Sequence, residues 1–88
     1  MAELDVQVVA SDHAVWSGAA KSVRARTVEG DIGILPGHTP VLSLLAEGEL
    51  VINPVEGSPV NAKVTGGFFS VDSDQVTIVA DEAELTQS

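Results

Sequence analysis

His13 and His38 are the side chains of this 88-residue sequence best suited to proton transfer or metal binding, and neither has the neighbours that such work needs. They lack the i, i+4 spacing that sets two imidazoles on one helical face, and the chain has no cysteine, so a metal would need carboxylates gathered from distant segments. Asp12 and His13, with Ser11 or Ser17, supply the residue types of a nucleophilic triad. Neighbours in a strand point to opposite faces, however, and no G-x-S-x-G elbow is present, so these read as turn residues. The acidic pairs Asp72 with Asp74 and Asp81 with Glu82 sit among turn-forming residues, where solvation explains them. No G-x-x-x-x-G-K-[ST] or G-x-G-x-x-G run exists to cradle a phosphate. The residues predict no catalytic group, no metal site and no cofactor.

Composition narrows the partners. Thirteen acidic residues against four basic ones give a net charge of −9, which repels phosphate backbones and anionic headgroups and argues against nucleic acid or a membrane surface as partner. With 44% hydrophobic residues and a mean hydropathy of +0.25, the chain is composed as a packed globule. Its length predicts one small domain that buries roughly 60 to 65% of the surface its unfolded form exposes. The absence of cysteine leaves stability to the core and suits a reducing compartment. The first residues carry no basic or apolar leader, and no apolar run approaches the roughly 20 residues that span a bilayer, so the expectation is a soluble, cytosolic chain.

The elements that would position these residues are strands. Leu4, Val6, Val8 and Ala10 alternate with Asp5 and Gln7, residues 14–18 suit a second short strand, and Val23, Ala25 and Thr27 alternate with Ser22, Arg24 and Arg26. Two runs, 50–53 and 60–64, flank a turn rich in Pro, Gly and Ser and predict a hairpin. Residues 68–71 and 75–80 predict another, joined by Asp72, Ser73 and Asp74. About ten short strands without intervening helices predict an all-β fold, a flattened antiparallel β-sandwich spanning residues 1–88. Leu4, Val6, Val8, Val23, Val64, Val76 and Ile78 are its expected core. At the C-terminus, Asp81 and Glu84 read either as the capping box of a helix that stops at Ser88 or as an acidic tail.

The least ordinary stretch runs from Gly30 to Pro40. Five of its eleven residues are Gly or Pro, which predicts a loop shaped by restriction at Pro36 and Pro40 and by freedom at Gly30, Gly33 and Gly37. Its apolar residues Ile32, Ile34 and Leu35 are either folded back onto the core or offered to a partner. Arg24 and Arg26 share a strand face and read either as a docking stripe for an acidic partner or as a solvated face paired with local carboxylates. The adjacent aromatics Phe68 and Phe69 must point to opposite sides of a strand, so one of them is available to an interface.

The run EGDIGILPGHTPVL, residues 29–42, resembles the G-[ED]-[IL]-G-I-[LY]-P-G-H-x-P-L signature of bacterial ATP synthase epsilon subunits. Residues 66–71, GGFFSV, resemble that family's GG-[FI]-x-x-V strand, residues 76–81, VTIVAD, its VTVLAD strand, and Trp16, Ser17 and Gly18 its [FW]-S-G opening. The resemblance covers nearly the whole chain. It implies a non-catalytic β-sandwich of the central-stalk rotor, bound to the gamma subunit and seated on the membrane c-ring, peripheral at the cytoplasmic face and without direct insertion into the membrane. It further implies that Glu29, Gly30, Asp31 and Ile32 meet the c-ring loops and that His38, Thr39 and Pro40 lie near gamma. The usual family member adds a C-terminal helical hairpin with nucleotide-binding and inhibitory roles, which a chain ending at Ser88 is expected to lack. The other reading of the residues is a free-standing β-sandwich that binds a protein or a ligand.

Overall fold

Alternation at period two fills the interior. In the computed structural model, which describes residues 3–11 and 13–86, every one of the seven expected core residues is buried, none more than 2% exposed. Seven strands carry them: β1 (Leu4–Ala10), β2 (His13–Thr27), β3 (Gly30–Ile34), β4 (Val41–Pro54), β5 (Val60–Asp72), β6 (Gln75–Ala80) and β7 (Ala83–Thr86). No helix occurs among the described residues.

The strands are fewer and longer than the expected ten because β2, β4 and β5 run for 15, 14 and 13 residues and change partners along their length within one seven-stranded sheet. One half of the sheet joins β3, the second half of β2, the second half of β4, the first half of β5, and β7. The other joins the first half of β2, β1, β6, the second half of β5 and the first half of β4. Pairing of β1 with β2 closes the ladder on itself. All pairs are antiparallel except β1 with β6, which run parallel, a departure from the fully antiparallel sheet expected.

Three further corrections concern segments whose sequence hides their pairing. Residues 30–34, expected as loop, form β3 against β2, with Ile34 buried and Ile32 packed on the core, so the glycines in this stretch do not prevent extension. Residues 41–49, assigned to no strand from the sequence, form the first part of β4. Residues 83–86 form β7 on β5, where a capping box or an acidic tail was expected. Pairing with residues 61–64 supplies more hydrogen bonds than one helical turn. Gln87 and Ser88, the end of that expected tail, lie outside the described residues.

Because Val8 is 1% exposed within this core, Val8→Ala is expected to cost about 2 kcal/mol, from lost burial and a cavity that only partly collapses. Urea denaturation measures it, and a cost under about 0.5 kcal/mol would place Val8 outside the packed interior.

Candidate functional site

The chemically suggestive residues do not converge. Among the described residues no three His, Asp or Glu side chains are grouped as a metal would require. Ser17 lies opposite Gln7, and His13 opposite Ala10, in the β1–β2 ladder, while Asp12 lies outside the described residues. Arg26 donates from Nε to Asp31 Oδ1 at 3.2 Å, with the two side chains 57% and 54% exposed. For Arg26 the arginine face is therefore paired with a local carboxylate, and water screens the pair to a few tenths of a kcal/mol.

Glu29, Gly30, Asp31 and Ile32 occupy the tip of the β2–β3 hairpin and the start of β3. The two-residue tip is stitched by Thr27, whose Oγ1 donates to the Gly30 carbonyl at 2.8 Å and accepts from Glu29 N at 3.1 Å. Thr27 is buried, and its turn role was not anticipated, although a hydroxyl residue two and three positions before the turning backbone is the available signal. Glu29, Gly30, Asp31 and Ile32 together line a shallow hollow of ≈210 Å³, with Val41 and Leu42 on its opposite side.

His38, Thr39 and Pro40 belong to the loop at 35–40. His38 N donates to Leu35 O at 3.1 Å, and His38 Nδ1 donates to Thr39 O at 2.7 Å, so the imidazole braces its own loop. Gly37, at φ 86°, takes the left-handed conformation expected of it. Gly33 does not: it sits in β3 without positive φ, and a Cβ there meets nothing within 4 Å, so the freedom expected of a glycine is not used at this position.

Beside the 29–32 hairpin lies a feature that sequence reasoning missed. Leu42 and Leu44 point outward from β4 and are 73% and 61% exposed, and Phe68, opposite Leu44 on β5, is 41% exposed. With Ser43 they line an open groove of ≈480 Å³. Val28 adds to the apolar surface, its amide donating to Leu44 O at 3.1 Å. Phe69 turns inward at 1% exposure, so the two phenylalanines divide between core and surface as expected. Leu42 lines both the groove and the hollow, which makes one continuous surface of them. The signal was available: residues 42 and 44 share a phase opposite to Leu45, the buried residue of that stretch.

Fold and surface together define an all-β sandwich domain with an apolar shelf beside a hairpin tip. Residues 3–86 match the β-sandwich domain of the ATP synthase delta/epsilon chain, and the chain belongs to that family. It is 55% identical over 85 residues to the ATP synthase epsilon chain of Micrococcus luteus, covering 97% of this chain and 93% of the relative. Against the ATP synthase epsilon chain of Rhodococcus erythropolis it is 51% identical over 88 residues, covering 99% of this chain and 72% of the relative. Among solved structures, a chain of the Euglena gracilis mitochondrial ATP synthase, described as OSCP, F1 and c-ring, superposes with a TM-score of 0.90 at 26% identity. That match covers 97% of this chain and 54% of the Euglena chain.

Proposed function

We propose that this domain is a non-catalytic coupling piece of an ATP synthase rotor, joining the gamma subunit to the c-ring at the cytoplasmic face of the membrane without entering it. The observation that carries the reading is the apolar shelf of Leu42, Leu44 and Phe68, continuous through Leu42 with the hollow at the 29–32 hairpin. Exposed apolar side chains clustered on a small, acidic domain are features of a protein interface. In this reading His38, Thr39 and Pro40 with the shelf take gamma, and Glu29, Gly30, Asp31 and Ile32 take the polar loops of the ring. The kinship with ATP synthase epsilon chains, and the likeness to a chain of an ATP synthase assembly that includes a c-ring, support the same reading.

The ring contact is tested at Asp31. Asp31→Lys breaks the exposed pair with Arg26 and leaves two cations side by side, at a small cost in stability. Attachment of the reconstituted rotor to the c-ring is expected to weaken by about tenfold if the ring loops present complementary charge, equivalent to ~1.4 kcal/mol. Ring pull-down and proton-driven ATP synthesis in vesicles read the effect. Parental values in both would remove residues 29–32 from the ring contact.

A further inference from the structure

Ser73 and Asp74 form the two-residue tip between β5 and β6, closed by the Asp72–Gln75 pair. Their φ values of 51° and 64° are those of a turn that favours Gly, Asn or Asp. Asp74 uses two of its acceptors, the backbone carbonyl and Oδ1, on segments distant in sequence. Its carbonyl accepts from Asp5 N at 2.8 Å, which ties the tip to β1, and its Oδ1 accepts from Gly37 N at 2.7 Å, which ties the tip to the 35–40 loop. The second bond is short and charge-assisted.

The loop's other hydrogen bonds, Leu35 with His38 and His38 with Thr39, lie within it. Among the described residues, the Asp74 carboxylate makes the hydrogen bond that fastens 35–40 to another element. It does so at Gly37, where the backbone is left-handed and least restricted by its own side chain. Release of that amide frees the middle of the loop while Ile34 and Val41 still anchor its ends.

We infer that Asp74 is a positioning residue, whose carboxylate clamps the 35–40 loop in the shape that residues 38–40 present to a partner. The inference rests on the reading that this loop meets gamma, and it adds a residue on a different hairpin that governs the contact without making it. A loop held in its bound shape loses less freedom on docking, so the clamp acts on affinity.

Two substitutions separate the carboxylate from the turn. Asp74→Gly keeps the carbonyl that serves Asp5 and suits φ 64° at least as well, but removes Oδ1. Asp74→Asn keeps an oxygen acceptor and tolerates the same backbone. The amide exchange rate of Gly37 and the equilibrium affinity for purified gamma subunit are measured on the folded chain. In Asp74→Gly, Gly37 is expected to exchange at least tenfold faster and gamma to bind about tenfold more weakly, with an unchanged urea midpoint. In Asp74→Asn, both values are expected within about twofold of the parent. Equal Gly37 exchange in the parent and Asp74→Gly would overturn the inference and leave the coupling reading intact. A loosened Gly37 with parental gamma affinity would overturn it as well, provided Leu44→Asp still weakens binding. If Leu44→Asp also binds gamma like the parent, the coupling reading is at fault and the inference falls with it.

Discussion

Gly67→Ala is expected to cost about 2 to 6 kcal/mol, a large share of the domain's stability. Gly67 has φ 118°, where an L side chain is strained by about 1 to 3 kcal/mol. The added methyl would also be driven into the Val79 carbonyl and lie 2.8 Å from Ala80 Cα, both backbone atoms of the neighbouring β6. Relieving that overlap moves a central strand, an over-packing penalty of roughly 1 to 3 kcal/mol. A domain of 88 residues has a total stability of only about 4 to 13 kcal/mol, so the sum takes much or all of it. Gly66→Ala is the control. At φ 109° it pays similar backbone strain, yet its methyl meets only Asp81 Oδ2 at 3.3 Å, the end of an exposed side chain that can swing aside. The two variants should therefore separate by about 1 to 3 kcal/mol in urea denaturation, and a Gly67→Ala midpoint equal to that of Gly66→Ala would refute the account.

The same glycine pair explains what was legible in the sequence and what was not. Alternation in 4–10, 23–27 and 75–80 reported local geometry directly, because each stretch keeps one face on the core throughout. The changes of partner escaped notice. At Gly66 and Gly67, β5 leaves its pairing with β7 and takes up β6, so a single strand serves both halves of the sheet and its period shifts midway. In β4 the buried phase passes from Leu45 to Leu50 across Gly48, and the stretch between has no clean alternation to find. β3 was obscured by glycines that suggest a loop, although Gly33 sits in a regular ladder opposite Arg24. For β7, local capping signals at Asp81 and Glu84 conflict with long-range pairing, and only the folded chain reveals which prevails.

The candidate surface was legible in part for a related reason. Residues 29–32 and 38–40 stand out because their glycines, prolines and motif order are visible in one dimension. The shelf beside the 29–32 hairpin is visible only once β4 and β5 are aligned, since Phe68 is 24 positions from Leu44 in the chain and directly opposite it in the sheet. Asp74, 37 positions from the glycine it clamps, was read from the sequence as a solvated turn residue for the same cause.

Leu44→Asp is expected to weaken gamma binding by about 100-fold while leaving the fold intact. Leu44 is 61% exposed on the outer face of β4, so its loss removes little from the core and stability should change by no more than about 0.5 kcal/mol. At a docked interface the substitution acts twice. It deletes apolar area near the centre of the groove formed with Leu42 and Phe68, and it carries a carboxylate into a place where water is excluded. Each contribution is on the order of 1 to 2 kcal/mol, and a total near 2.7 kcal/mol corresponds to the 100-fold figure. Adding one negative charge to a chain already at −9 changes long-range repulsion only slightly, and raising the salt concentration should recover little of the loss. Val55 provides the comparison: it is 39% exposed in the turn between β4 and β5, outside the residues that line the groove, so Val55→Asp adds the same charge without entering the shelf. Titration calorimetry with purified gamma should then show a weak Leu44→Asp complex beside a Val55→Asp complex within about twofold of the parent. Equal affinities for all three would mean that the shelf does not meet gamma, and the proposed coupling reading would fall with it.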